Sequence, residues 1–341
     1  MKKFTMMLFL IMISSSYAQE LKTPAEYLKY LNKLTSGLPE STFDYTIDVA
    51  TNKDPRKLDA SRKALISQLQ NAQKLAESLP GYQDDTEYKD QVLIYLMLTE
   101  QYLNGEYENV LALQEVPQLN YEAMEAFLMS RNMINKKMYE EIEKLYANKK
   151  VFAEKYEIAP LNKGKLLEKM TTASEVLESH TEGYLIFLGA SSADASILKG
   201  ISTKDLDLVQ QQSDELKRNA IEAAAKMKTF KGYKNDVALL TATASAMEFY
   251  KKEANELCPQ IISFMTLSQK LADSRKALES KKAEKRTKVE IDQVVALTDE
   301  QAKAAVPFNK AMAEYAAERL IVVANYNKAS NDFLARHIVK E

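Results

Sequence analysis

Apolar residues recur three or four positions apart along this chain, the spacing that gathers them on one face of an α-helix. After Thr23 as a cap and Pro24 in a first turn, Tyr27, Tyr30, Leu31 and Leu34 share a face. Gly37 and Pro39 interrupt, and Phe43, Ile47 and Ala50 resume the pattern. Asp54-Pro55 repeats the cap-then-proline signal and opens a helix striped by Leu58, Leu65, Leu69, Ala72, Ala76 and Leu79. Pro80-Gly81 ends it. Asp84 and Asp85 suit the positive end of the next helix, which carries Tyr88, Val92, Tyr95, Leu96, Thr99, Tyr102 and Leu103. A longer one, from about Tyr121, places Phe127, Ile134, Met138, Ile142, Leu145 and Phe152 on a face. The first half therefore reads as four helical segments.

The second half repeats that plan. One helix runs through Leu166, Met170, Val176, Leu177, Tyr184 and Phe187, and Gly189 to Ala193 reads as a small-residue connector. The next begins near Thr203 and ends at Phe230-Lys231-Gly232. Leu240, Thr243, Met247, Tyr250, Ala254, Leu257, Ile261 and Phe264 then form the cleanest stripe, alternating three and four as a bundle seam requires. Pro259 should kink this helix. Thr298 with Gln301 three later reads as the capping box of a last helix.

Gly81-Tyr82-Gln83-Asp84-Asp85 matches Gly232-Tyr233-Lys234-Asn235-Asp236, 151 positions on, between the second and third helices of each half. The expected fold is all-α: two tandem antiparallel four-helix-bundle-like units from an internal duplication. The boundaries expected are a signal peptide over 1–18, a first bundle over 19–159, a linker over 160–164 and a second bundle with long helices over 165–341.

Composition sharpens this picture. Only 8 Gly and 8 Pro among 341 residues argue against sandwiches, barrels and loop-rich scaffolds, and 46% hydrophobic content argues against general disorder. Lys2 and Lys3, the apolar stretch Phe4 to Ile13 and Ser16-Tyr17-Ala18 read as a secretory signal, too short to cross a bilayer. No second apolar run of spanning length is expected. Removal of 1–18 takes two lysines from the 46 Lys+Arg and none of the 48 Asp+Glu, so the net charge moves from −2 to −4, which gives no overall attraction to nucleic acid. The exported chain is expected in the periplasm or at the cell surface, without an N-terminal lipid anchor. Cys258 is single, so it forms no intrachain disulfide and reads as a core thiol.

Enzyme signatures are missing from the sequence. His180 and His337 are the only histidines and lie in neither HExxH nor Glu-x-x-His spacing; GxSxG, GxxxxGK[ST] and GxGxxG do not occur. His180 reads as structural and partly exposed, and Glu140, Glu141 and Glu143 as a solvated face. No catalytic residue, cofactor or metal is assigned. Two features stand out instead. Tyr88, Tyr95 and Tyr102 repeat every seven residues, as do Tyr139 and Tyr146, among 18 Tyr and no Trp. They fit buried rings at a core edge or an aromatic recognition surface. Shifted by 151, the ladder becomes Leu239, Ala246 and Glu253, so the bundle plan alone does not demand it. Arg275, Lys276, Lys281, Lys282, Lys285, Arg286 and Lys288 form a basic segment suited to a solvated connector or to an anionic envelope partner.

Phe43-Asp44-Tyr45-Thr46 with Val49-Ala50, Tyr121-Glu122-Ala123-Met124, Tyr184-Leu185-Ile186-Phe187 and Met247-Glu248-Phe249-Tyr250-Lys251-Lys252-Glu253-Ala254 resemble strings in an uncharacterised family of exported helical bacterial surface proteins. The resemblance implies an envelope location and no catalytic residues. Members often carry a lipid-anchor cysteine that this chain lacks. The function expected is non-enzymatic binding of another envelope component, protein or glycan. The alternatives are a small-ligand carrier with a pocket between helices of the first bundle and, third, an envelope enzyme without a recognisable motif.

Overall fold

Helical periodicity is realised almost throughout. A computed structural model describes residues 21–51, 54–114, 121–159 and 165–338, and no strand occurs among them. The expected signal peptide over 1–18 and the linker over 160–164 lie outside the described residues. The helices are α1 Pro24–Leu34, α2 Leu38–Ala50, α3 Pro55–Glu77, α4 Glu87–Gln101, α5 Tyr107–Gln114, α6 Tyr121–Lys155, α7 Lys165–Thr203, α8 Leu206–Thr229, α9 Ala238–Lys252, α10 Cys258–Glu279 and α11 Lys288–His337. A π-helical turn, Tyr102–Glu106, joins α4 to α5, and another, Glu253–Leu257, joins α9 to α10. The chain divides into two compact units, Met1–Leu177 with His337–Glu341, and Glu178–Arg336.

Local chemistry explains most of the boundaries. Thr23 accepts from the Glu26 amide while the Glu26 carboxylate accepts from the Thr23 amide, a reciprocal cap with Pro24 in the first turn. Asp54 caps α3 and Asp205 caps α8, so α8 starts after Asp205 rather than near Thr203. Two expectations are corrected. Gly189 to Ala193 is no connector: it lies inside α7, where Ala190 and Ala193 are buried and small side chains let neighbouring helices approach. The pair Thr298 and Gln301 lies inside α11, and the reciprocal cap is Thr287 with Glu290, eleven residues earlier. Pro259 lies directly after the π turn, inside a helical run that continues from α9 into α10.

Unit 1 closes around Leu31, Ile47, Leu58, Leu69, Val92, Tyr95, Leu96 and Met138, all essentially inaccessible. Phe152 anchors one end, with ring centroids 5.7 Å from Tyr27, 5.7 Å from Tyr88 and 4.7 Å from Tyr156. Unit 2 closes around Val209, Leu216, Tyr250, Leu257, Tyr326 and Phe333, with Phe187 stacked on Tyr326 at 3.7 Å. Among the described residues α7 is the helix long and apolar enough to cross a membrane, with an 18-residue window of mean hydropathy 1.2, contrary to the expectation of no second such run. Within unit 2 its apolar face, through Ile186, Phe187, Ala190, Ala193 and Ile197, is core.

Several internal features recur at one spacing. Tyr82 and Asp85 exchange two backbone hydrogen bonds of 2.9 Å, and Tyr233 and Asp236 form the same isolated bridge 151 positions later. Gly232, in the left-handed region at φ 71°, precedes the second turn; a Cβ there would stand 2.7 Å from the Asp236 carbonyl oxygen. The capping aspartates, the two turns and both π segments all keep the 151 spacing. Beyond the π turns the spacing becomes 181: Tyr82 meets Phe152 and Tyr233 meets Phe333 edge-on, each at 6.3 Å. Lys155 pairs with Asp85 at 2.8 Å and Arg336 with Asp236 at 2.6 Å, again 181 apart. The spacing thus grows by thirty residues between the π turn of unit 2 and the second half of α11. They lengthen α10 and α11 into a hairpin arm.

Candidate functional site

Three of the five tyrosines of the two heptad ladders are core, not surface. Tyr88 is 2%, Tyr95 0% and Tyr139 7% exposed, which removes those three rings from the expected recognition surface. The heptad spacing aligns them along the seam between α4 and α6, where burial of the ring is worth more than its exposure. Tyr139 shares a 2.5 Å hydrogen bond with Thr46, and Tyr88 donates to Asn32 Oδ1 at 3.3 Å. Burial pushes their phenols well above the usual tyrosine range. Tyr102 and Tyr146 are half-buried and lie under the ammonium groups of Lys137 and Lys149. His180 is buried, not partly exposed, and bonds Ser330 Oγ at 2.7 Å. Cys258 is core as expected, and burial pushes its thiol up to about 11.

The basic segment lies at the end of the arm. Arg275 and Lys276 are in the last turns of α10; Lys281, Lys282, Lys285 and Arg286 occupy the connection; Lys288 opens α11. All seven are exposed. Arg275 donates to Thr298 Oγ1 at 3.0 Å, Lys281 pairs with Glu290, and Arg286 Nε donates to the Lys281 carbonyl at 3.1 Å. These bonds fix the tip while leaving Lys276, Lys282, Lys285 and Lys288 pointing at solvent. Among the described residues from Thr266 to Val295, Leu271 alone is buried, so the arm contributes little to a core.

One cluster had no counterpart in the sequence reading. Asp194 on α7, Glu253 at the start of the π turn and Arg319 on α11 meet inside unit 2. Arg319 Nε lies 2.8 Å from Asp194 Oδ2, and Arg319 Nη2 donates to Glu253 Oε1. The two carboxyls are 4% and 1% exposed. Burial raises the pKa of Glu253 to about 8, with the Asp194 charge adding to the rise; burial raises Asp194 as well, against the pull of Arg319. One guanidinium balances one carboxylate, so the pair keeps one proton at neutral pH. That proton supplies a donor where Asp194 Oδ1 and Glu253 Oε2 are otherwise without one. The arrangement ties α7, the π turn and α11 together.

A groove of about 560 Å³ lies between α8 and α9 of unit 2 and is lined by Ala220, Ala224, Ala244, Met247 and Ala254, with Lys217 and Lys251 on its rim. None of the three cluster side chains lines it. At the positions 151 earlier, unit 1 has Leu69, Leu93 and Leu103 where unit 2 has Ala220, Ala244 and Ala254. In unit 1 the described grooves are smaller, about 280 and 260 Å³. No protein-family model, curated protein or solved structure matches the chain.

Proposed function

We propose that this is an exported, non-enzymatic helical protein, one bundle-like unit repeated in tandem, whose second copy carries a hairpin that docks on an anionic component of the cell envelope. The observation that carries this reading is the arm: thirty added residues that bury almost nothing and end in seven exposed cations. Residues that do not build a core need another use, and a rigid helical lever displaying a cluster of positive charge suits electrostatic docking. The common spacing of caps, turns and π segments supports the tandem reading. The basic-then-apolar start of the sequence and the resemblance to exported surface proteins support export.

Replacing Lys276, Lys282, Lys285 and Lys288 by Gln tests the docking role. Co-sedimentation with an envelope fraction is expected to fall by about tenfold or more at low ionic strength, and wild-type binding to weaken as salt approaches about 0.3 M. Helical circular dichroism should be unchanged. Binding indifferent to both the substitutions and the salt would remove the tip from the account.

A further inference from the structure

The outward face of α11 carries an apolar stripe distinct from the one that faces α10. Ile291, Val295, Ala302, Val306, Ala313 and Ala317 are all exposed, Val295 by 54% and Val306 by 74%. Their spacing alternates four and seven, an eleven-residue repeat. At 3.67 residues per turn such a repeat stays on one side of a nearly straight helix, so the stripe does not wander into the unit 2 core. Ordinary surface helices scatter single apolar residues; a periodic exposed set is the mark of a seam.

The charges beside the stripe say what fits it. At 100° per residue Lys288, Asp292, Asp299, Lys303, Lys310 and Glu314 fall along one flank, all exposed. The only ion pair formed among them is a loose one, Lys310 to Glu314 at 3.9 Å. Reversing the helix about a point near residue 301 brings Asp292 level with Lys310, Asp299 level with Lys303, and Lys288 level with Glu314. The same reversal sets Val295 level with Val306. A two-fold axis perpendicular to two antiparallel helices places like flanks together, so every one of these levels joins opposite charges. A parallel pairing would instead set this flank against the opposite flank of the partner, so these charges would not meet.

We infer that the protein self-associates through α11, two copies pairing antiparallel along the arm over residues 288–314, about 40 Å of helix. The occupant of the stripe is a second copy of this chain, because the flank is complementary to itself in reverse. An isologous contact of this kind closes as a dimer and leaves no free end to polymerise.

Charge reversal and cross-linking on the full chain test it. Sedimentation equilibrium is expected to give twice the monomer mass. Asp292→Lys with Asp299→Lys creates four like-charge levels per dimer and should weaken association on the order of 10–100-fold. Adding Lys303→Asp and Lys310→Asp inverts both members of these pairs and should restore the dimer, which a merely damaged arm would not do. In a Cys258→Ser background, Ala302→Cys, close to the axis, should form an intermolecular disulfide, and Glu300→Cys, on the opposite side of α11, should not. A wild-type protein that stays monomeric at about 100 μM, or a quadruple variant that fails to recover while keeping its helicity, would overturn the inference; so would equal cross-linking at both positions.

Discussion

Arg319→Met is expected to destabilise the protein by about 3–5 kcal/mol, read as a lowered urea midpoint of unit 2. Arg319 is the cation within bonding distance of both Asp194 and Glu253, and its side chain is itself 13% exposed. Without it two carboxyls stay in a site that holds water off both, and each must take up a proton or force the helices apart. Removing the whole ionic set with Asp194→Asn, Glu253→Gln and Arg319→Met should recover most of the loss, because no charge is then left buried. A single substitution costing less than about 1 kcal/mol would mean that the cluster is not sealed.

The same cluster sets a pH dependence. The Glu253 carboxyl titrates near 4.5 when the chain is unfolded and is raised to about 8 when folded. The folded state therefore holds a proton that the unfolded state has released. The stabilisation is complete below about pH 4.5 and is lost as pH rises through about 8, with a slope of at most about 1.4 kcal/mol per pH unit for one proton. Glu253→Gln should flatten that slope between about pH 5 and 9 in thermal unfolding.

Local signals carried the helices and the repeated turn. Thr23-Pro24 and Asp54-Pro55 say where helices begin because capping involves neighbours three residues apart. The Gly-Tyr turn was legible because its glycine, tyrosine and aspartate each have a geometric task within five residues. Where tertiary packing decides, the sequence misled. Gly189 to Ala193 has the composition of a break, yet close helix approach holds it helical. Thr298 and Gln301 have capping-box spacing inside a helix, which local spacing alone does not distinguish from an end. Heptad tyrosines look alike whether they face core or solvent, since periodicity fixes a face and not its direction.

The ion cluster was harder to see, because its members are separated by 59 and 66 positions and no motif spans them. One trace was present: Glu253 falls within the stripe formed by Tyr250, Ala254 and Leu257, where a charge has no place without a partner. The exposed stripe on α11 was masked by the inner one, since both recur at helical spacing in a single fifty-residue helix.

Deleting Thr266 to Val295 tests the account most directly. The cut removes thirty residues, so that the aromatic and ion pairs beyond the π turn of unit 2 would also fall at the 151 spacing. Leu271 is the one buried side chain it removes, and every contact of Phe187, Tyr250, Tyr326 and Phe333 described above stays in place. The expected product keeps its helical signal and a thermal midpoint within a few degrees of the full chain, a loss of about 1–3 kcal/mol at most for one core side chain. Its binding to the envelope fraction should be abolished. Loss of cooperative unfolding would show that the arm belongs to the core, and undiminished binding by a folded deletion variant would contradict the docking role outright.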